Sequence, residues 1–134
     1  MSLIYLDSSI VIYLVERHPV YSSLIEGALR NVHDSVPVVS PLVELEVLVR
    51  PLQSGNADVV ALYRRFLDTT RSLAINDATF RLALDVRVRH RLKTPDALHL
   101  AIAGQHGCDF LWTNDDRLSS AAGHLSVNLF RQGE

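Results

Sequence analysis

Short apolar runs alternate along the chain with longer segments in which apolar residues recur every three or four positions. Runs of the first kind are typical of buried parallel strands, and segments of the second kind are typical of helices. The predicted strands are Leu3–Leu6, Val36–Ser40, Ser72–Ile75, Phe110–Thr113 and Leu125–Phe130. The predicted helices are Ile10–Glu16, Val20–Val32, Leu42–Val49, one from Asn56 or Asp58 to Leu67, one from Asn76 or Asp77 to His90, Thr94–Gln105 and Asp115–Ala121. Strands that alternate with helices predict an α/β fold with a mainly parallel sheet.

Polar residues and prolines sharpen the predicted helix ends. Ser8 and Ser9 follow the first strand and are expected to cap the first helix. Pro51 is expected to end the third helix, because proline lacks a backbone N–H and clashes with the preceding turn. Thr94 is expected to cap the sixth helix, with Pro95 in its first turn.

Length and composition predict one soluble domain. The 134 residues are 48% hydrophobic and 21% charged, with a net charge of −2 that excludes a generally basic nucleic-acid binder. We expect residues 1–130 to form a single domain and residues 131–134 to be a flexible tail. The lone Cys108 excludes an internal disulfide and fits a reducing compartment. No apolar stretch reaches the ~18 residues of a spanning helix, and no signal-peptide layout is present, so we expect a cytoplasmic protein.

Four acidic residues lie where the predicted elements would leave them near one rim of the sheet. Asp7 ends the first strand, Asp115 follows the fourth, Asp96 lies in a first helical turn, and Glu46 lies in an apolar helix. Ligands of open α/β sheets bind outside the carboxyl ends of the strands. Because carboxylates repel one another, gathering them favours a cation between them, and Mg²⁺ or Mn²⁺ suits oxygen ligands. A carboxylate-held metal beside a phosphate is the machinery of phosphodiester hydrolysis.

Each acid also has a purely structural explanation. Asp7 and Asp115 can cap helices, and Asp96 can complement a helix dipole for about 0.3–1 kcal/mol. Glu46 is harder to explain, because its helix is apolar nearly all round and is therefore expected to be buried. Glu44 lies two positions earlier and faces a different side of that helix, so it competes with Glu46 for the role.

Four motifs in order give the chain a family resemblance over nearly its whole length. They are LIYLDSSIVIYL, SPLVELEVLVRP, LKTPDALHLAIA and FLWTNDDRL, and the third is the most specific. With these motifs the chain resembles PIN-domain proteins, and among them the VapC-type toxins of toxin–antitoxin pairs. The family often has a glycine after the second motif, where this chain has Arg50.

The resemblance implies a three-layer α/β/α fold and a Mg²⁺- or Mn²⁺-dependent endoribonuclease. It implies a cognate antitoxin that inhibits the enzyme, often through an arginine that reaches the carboxylates, and a homodimer that can assemble further with the antitoxin. The residues that it assigns to catalysis and metal binding are Asp7, Glu46, Asp96 and Asp115. The residues expected to support the site are Ser8, Thr113, Asn114 and Asp116.

Basic residues and one histidine flank the third motif. The cluster Arg87, Arg89, Arg91 and Lys93, which also includes His90, is suited to RNA phosphates, but cations at a helix C-terminus also favour its dipole. His99 follows Asp96 by three positions and shares its helix face. It is either a partner of the acidic site or a histidine packed in the core.

Two other functions remain open at this point. One is a PIN-like module that binds RNA or protein without catalysis, although all four acids are present. The other is a receiver-like phosphoacceptor at Asp7 or Asp115, which leaves Glu46 without a role. For a homodimer, Ile12, Tyr13 and Leu14 are candidate interface residues, and core burial explains them equally well.

Overall fold

One parallel sheet forms the centre of the molecule in the computed structural model, which describes residues 1–127. Its strands are β1 (Ser2–Leu6), β2 (Ser35–Val39), β3 (Arg71–Ser72), β4 (Phe110–Trp112) and β5 (Ser126–Val127). Their order is β3-β2-β1-β4-β5, and every pairing is parallel. The prediction of an α/β fold with a parallel sheet is confirmed.

Seven helices connect the strands and cover the sheet within the described residues. They are α1 (Ser8–Val15), α2 (Tyr21–Asn31), α3 (Pro41–Gln53), α4 (Ala57–Asp68), α5 (Asp77–His90), α6 (Thr94–Gln105) and α7 (Asp116–Ala122). The chain moves outward from β1 to β2 and β3, and then crosses to β4 and β5 on the other side of β1. Because such crossovers are right-handed, α1–α4 lie on one face and α5–α7 on the other, as their mutual contacts also indicate. The result is a three-layer α/β/α arrangement.

The sheet reverses its winding direction between β1 and β4, which places the carboxyl ends of these strands side by side. Leu6 is the register partner of Trp112, and the backbone N–H of Asp7 donates to the carbonyl of Trp112 at 3.2 Å. Ile4, Tyr5 and Leu6 are consecutive and fully buried, as expected for a central strand covered on both faces. Asp7 and the residues after β4 therefore meet at the point where open α/β sheets bind ligands.

Two predicted element boundaries were wrong for identifiable reasons. The third strand is Arg71–Ser72 rather than Ser72–Ile75, because its partner β2 ends at Val39, after which the chain turns into α3. Pro51 does not end α3, which continues to Gln53. Proline removes only its own N–H donor, and the next turn still closes through the N–H of Ser54 on the carbonyl of Arg50 at 3.0 Å.

Two predicted helix caps were also wrong. Asp7 caps α1, and Ser8 is the first helical residue. Lys93 occupies the N-cap position of α6 without a side-chain cap bond, whereas Thr94 is already helical and its hydroxyl oxygen accepts from Arg87 at 3.0 Å.

The last predicted strand, Leu125–Phe130, overlaps β5 only at Ser126–Val127, since Leu125 ends a short 3₁₀ turn. Its remainder and the predicted tail at 131–134 lie outside the described residues.

Within residues 1–127 no helix has the length and apolar character needed to cross a membrane. Cys108 is buried beside the start of β4, and burial, followed by the neighbouring Asp109, raises the pKa of its thiol to about 11. A thiol in this state is a packing residue rather than a nucleophile.

Candidate active site

Asp7 is held rigidly at the end of β1. Its Oδ1 accepts from the hydroxyl of Ser9 at 2.6 Å and from the N–H of Ile10 at 3.2 Å, which caps α1. The side chain is only 6% exposed, and this burial raises the pKa of Asp7 despite hydrogen bonds from Ser9 and Thr113. Asp7 therefore caps α1, which is the structural role that the sequence allowed for it. The raised pKa shows that its negative charge is not fully compensated by the protein.

Glu46 reaches the same region from α3 and is held by two donors. Oε1 accepts from the hydroxyl of Ser8 at 2.6 Å and lies 2.7 Å from Nε2 of His99. Burial acts to raise the pKa of Glu46, but the bonds from His99 and Ser8 outweigh it and lower the pKa. Glu44, the competing acid on this helix, is exposed and lines a different surface cleft.

The helix that carries Glu46 is not buried all round, contrary to the sequence-based expectation. Val43, Val47 and Leu48 form its buried face, whereas Leu45 is 61% exposed and Leu52 is 54% exposed. Because these exposed positions are apolar too, the sequence pattern did not show which side of the helix faces solvent. Glu46 lies between the two faces, with its side chain 28% exposed.

Asp96, in the first turn of α6, is the third of the four predicted acids. Burial raises the pKa of this half-buried carboxyl, and the negative charges of Asp115, Asp7 and Glu46 add to the shift, while His99 opposes it. The other three predicted acids therefore lie within electrostatic range of Asp96. The repulsion of Asp96 by these three acids is the clearest sign that the four lie close together.

Asp115 caps α7 through its Oδ1, which accepts from the N–H of Leu118 at 2.9 Å. Thr113 is fully buried between the two strand ends, where it bonds with Asp7 and accepts from the N–H of Asp115 at 3.0 Å. Asn114 instead donates to the hydroxyl of Tyr13 at 2.7 Å. Asp116 is the first residue of α7 and lines an adjoining cleft.

The donor set is chemically suited to Mg²⁺ or Mn²⁺, since all four acids offer carboxylate oxygens. Within the described part of the chain, however, no three His, Cys, Asp or Glu side chains converge into a ready-made ligand set. Mg²⁺ commonly keeps several waters and takes only one or two carboxylates directly, so a closed cage is not required. The residues fit such an ion by chemistry and by unbalanced charge.

Sequence reasoning left His99 either packed in the core or beside the acidic site, and in the structure it occupies both positions at once. The ring is buried in the core at 3% exposure, and it also contacts Glu46. Behind it lies Tyr5, whose hydroxyl is 2.6 Å from Nδ1 of His99 and 2.8 Å from Oγ of Ser40. The spacing between Asp96 and His99 was the available signal for His99. Nothing in the local sequence indicated Tyr5 or Ser40.

The four basic residues proposed for RNA do not share one environment. Arg87 is tied to the start of α6, since its Nε donates to the carbonyl of Leu92 at 3.0 Å and its Nη1 donates to Thr94. Arg89 forms an exposed ion pair with Asp85 at 3.3 Å. Arg91 and Lys93 are exposed where α5 gives way to α6.

Comparisons with known proteins agree with the fold and the motifs. A family model described as PIN domain matches residues 4–124. Ribonuclease VapC46 of Mycobacterium tuberculosis is 36% identical over 129 residues, which is 95% of this chain and 95% of that protein.

Solved structures show the same fold at lower identity. A chain of a toxin–antitoxin complex from Klebsiella pneumoniae has a TM-score of 0.76 at 22% identity, covering 96% of this chain and 98% of that one. A chain of VapBC2 from Rickettsia felis, bound to a DNA fragment from its promoter, has a TM-score of 0.74 at 16% identity, covering 94% and 98%. With a family model matched over most of its length and a relative at 36% identity, this chain belongs to the PIN-domain family and to its VapC-type members.

Proposed function

We propose that this protein is a divalent-metal-dependent endoribonuclease that acts as the toxin of a toxin–antitoxin pair. The observation that carries the proposal is the placement of Asp7 and Asp115 at the adjacent carboxyl ends of β1 and β4. Asp96 lies close enough for the charges of Asp115, Asp7 and Glu46 to add to the rise that burial causes in its pKa. Carboxylates that repel one another at the carboxyl end of a parallel sheet favour a cation. The similarity to a ribonuclease at 36% identity supports RNA as the substrate.

Asp7, Glu46, Asp96 and Asp115 are the residues that would hold Mg²⁺ or Mn²⁺. When bound, such an ion lowers the pKa of a water and stabilises charge on phosphate oxygens. Among the supporting residues, Ser8 holds Glu46 through Oε1, and Thr113 joins Asp7 to the backbone of Asp115. Asn114 and Asp116 would act at the edge of the site, where Asn114 orders the chain through Tyr13.

For RNA, the favoured surface is a cleft of about 490 Å³ between the end of α5 and α7. Its lining includes His90, Arg91, Arg117 and Ser120, and it also includes the acid Asp116. Arg91 adopts a left-handed backbone conformation (φ 55°), which is costly for a residue other than glycine. The cleft adjoins Asp115 along the chain, so a phosphate bound there would lie near the acids. Arg87 and Arg89, by contrast, are engaged within the protein.

For the antitoxin, the favoured surface is a cavity of about 190 Å³ between α1, α3 and α4, which opens beside Glu46. Glu16 also lines it and accepts a hydrogen bond from Tyr63, and Arg50 lies at its wall. Two carboxylates in one cavity suit a basic side chain of a partner. The exposed Leu45 and Leu52 line a separate cleft on α3, which offers the same partner an apolar contact.

For a homodimer, the favoured contact is α5 rather than Ile12, Tyr13 and Leu14, which are partly buried and packed against the core. An apolar stripe on α5 lies at intervals of four residues and is open to solvent. Its members are Phe80, Leu84 and Val88, exposed by 57%, 66% and 73%. A self-complementary stripe of this kind suits a two-fold contact between identical chains.

Cleavage of total RNA by purified, antitoxin-free protein tests the function, with Mg²⁺, with Mn²⁺ and with chelator. We expect discrete cleavage with either metal, and loss of cleavage with chelator or in Asp96→Asn. Glu46→Gln and Glu44→Gln form a matched pair on α3, and only the first should lose activity. A folded protein that binds metal or RNA but never cuts would favour the non-catalytic module. Labelling by a small phosphodonor would instead favour the phosphoacceptor.

A further inference from the structure

A buried chain of hydrogen bonds leads away from the acidic site into the core. From Oε1 of Glu46 it passes 2.7 Å to Nε2 of His99, then 2.6 Å from Nδ1 to the hydroxyl of Tyr5. The hydroxyl of Tyr5 lies 2.8 Å from Oγ of Ser40. Tyr5 and Ser40 are fully buried, and His99 is almost so. Polar groups in such a place are costly unless every one of them is paired.

The donors and acceptors of this chain can be assigned throughout in one direction. The N–H of Val43 donates to Oγ of Ser40 at 3.5 Å, which leaves the hydroxyl hydrogen of Ser40 for Tyr5. Tyr5 can then donate to Nδ1 of His99. Because the carboxylate of Glu46 only accepts, Nε2 of His99 carries the hydrogen between them. In this assignment the hydroxyls of Ser40 and Tyr5 each donate one hydrogen bond, Nδ1 of His99 accepts one, and Nε2 of His99 donates one.

The chain also joins the elements that deliver three of the four acids. Tyr5 lies on β1 two residues before Asp7, and His99 lies on α6 three residues after Asp96. Ser40 caps α3, the helix that carries Glu46. A shift of α3 or α6 relative to β1 would break at least one of these bonds. Packing alone would not need so specific a connection.

We propose that His99 is a positioning residue of the acidic site, oriented by Tyr5 and fixing the carboxylate of Glu46 through Oε1. The proposal rests on the proposed nuclease function. His99 and Ser8 both engage Oε1, so the rotation of the carboxylate is set and Oε2 is the oxygen left for the site. Partners of this kind, one step removed from a metal ligand, typically change metal affinity or activity by about 10–100-fold when removed.

Three variants separate positioning from packing. His99→Leu fills the core but cannot donate to Glu46. His99→Gln can place an amide N–H near the former Nε2 and should partly restore function. Tyr5→Phe keeps the ring and removes only the hydroxyl that orients His99. Thr79→Val is the control, because Thr79 is equally buried and hydrogen-bonded to Gln105, but it lies between α5 and α6 outside this chain of bonds.

The measurements are Mn²⁺ binding by calorimetry with the metal alone, kcat and KM on RNA, denaturant unfolding, and the ¹⁵N NMR signals of His99 in the metal-free protein. We expect His99→Leu to weaken Mn²⁺ binding and kcat by about 10–100-fold, and Tyr5→Phe to do so less. His99→Gln should recover part of the loss. In the wild type, NMR should place a hydrogen on Nε2, and Tyr5→Phe should weaken that preference.

Each outcome decides a different question. If the His99 variants lose stability as Thr79→Val does, yet keep Mn²⁺ affinity and kcat within about twofold, well below the loss expected for such a partner, His99 is a packing residue and the inference is wrong. If His99→Leu does not fold, Tyr5→Phe and the NMR signals of the wild type carry the test. If the wild type itself neither binds Mn²⁺ nor cuts RNA, the proposed function fails instead.

Discussion

Oε1 of Glu46 and Nε2 of His99 lie 2.7 Å apart, although 53 positions separate the two residues along the chain. This bond and the one from Ser8 lower the pKa of Glu46 although burial acts to raise it. Asp7 and Asp96 show the opposite shift, with burial as the largest cause in each. The acidic site therefore contains one carboxylate that the protein stabilises as an anion and two whose charge it leaves partly unbalanced.

The unbalanced charges predict how the stability of the metal-free protein depends on pH. A carboxyl whose pKa is raised on folding binds its proton more tightly in the folded state, so stability falls as the pH rises through the raised pKa. Asp7 and Asp96 should thus weaken the fold at neutral pH relative to mildly acidic pH. Glu46 acts oppositely, and its contribution is lost as the pH falls through its lowered pKa.

Asp96→Asn isolates one part of this behaviour. The variant should unfold at higher denaturant concentration than the wild type at neutral pH, by a few tenths to about 1 kcal/mol, and the difference should vanish in mild acid. Asp85→Asn is the control, since Asp85 is an exposed acid on α5 paired with Arg89. Added Mn²⁺ should stabilise the wild type and not Asp96→Asn. Equal pH profiles for the wild type and Asp96→Asn would contradict repulsion at this position.

Asp7 has a structural and a chemical role, and two substitutions separate them. Asparagine is as good an N-cap as aspartate, so Asp7→Asn should keep α1 capped while removing the carboxylate. Asp7→Ala removes both and should cost a further ~1 kcal/mol of unfolding free energy, within a range of about 0.5–2. RNA cleavage should be lost in both variants. Normal cleavage by a folded Asp7→Asn would remove Asp7 from the catalytic group.

The sequence predicted the elements well where a single periodicity dominates. The apolar run of β1 and the motif around Asp96 led directly to a buried central strand and to a helix from Thr94 to Gln105. Predictions of local detail were weaker. Ser8 follows Asp7 and both can cap a helix, and only the folded backbone decides between them.

Long-range relationships were beyond the sequence pattern. The end of β3 depends on where β2 stops, which no residue near Ser72 encodes. Tyr5 looked like one more apolar position of a strand, yet its hydroxyl meets Ser40 and His99 from two other elements. Similarly, the four basic residues between positions 87 and 93 look equivalent in the sequence. In the structure, however, Arg87 is held by hydrogen bonds to Leu92 and Thr94.

The cleft between α5 and α7 predicts the salt dependence of RNA binding. Binding should be measured in the Asp96→Asn background without metal, so that the RNA remains intact. Arg91→Gln and Arg117→Gln should each reduce the slope of log affinity against log salt concentration by about 0.7 for every phosphate contact removed. Glutamine keeps a side chain on the left-handed backbone at position 91, so backbone strain is unchanged.

Arg89→Gln is the matched control for this measurement, because Arg89 lies on the same helix and pairs with Asp85. Its salt slope should equal that of the parent protein. If Arg91→Gln and Arg117→Gln behave as Arg89→Gln does, the cleft is not the RNA surface. The charges at the end of α5 would then serve the helix dipole.

Two exposed leucines on opposite faces of the sheet predict separable effects on assembly. Leu84 is 66% exposed on the apolar stripe of α5, and Leu45 is 61% exposed on α3, where it lines the apolar cleft on the same helix as Glu46. Leu84→Lys would place like charges opposite one another in a two-fold contact and should convert a dimer to a monomer in sedimentation equilibrium. Leu45→Lys should leave the dimer intact and instead weaken inhibition by the cognate antitoxin. Because both residues are exposed, neither variant should change the free energy of unfolding of the monomer by more than about 0.5 kcal/mol. If Leu45→Lys dissociates the dimer and Leu84→Lys does not, the two surfaces have been assigned the wrong way round.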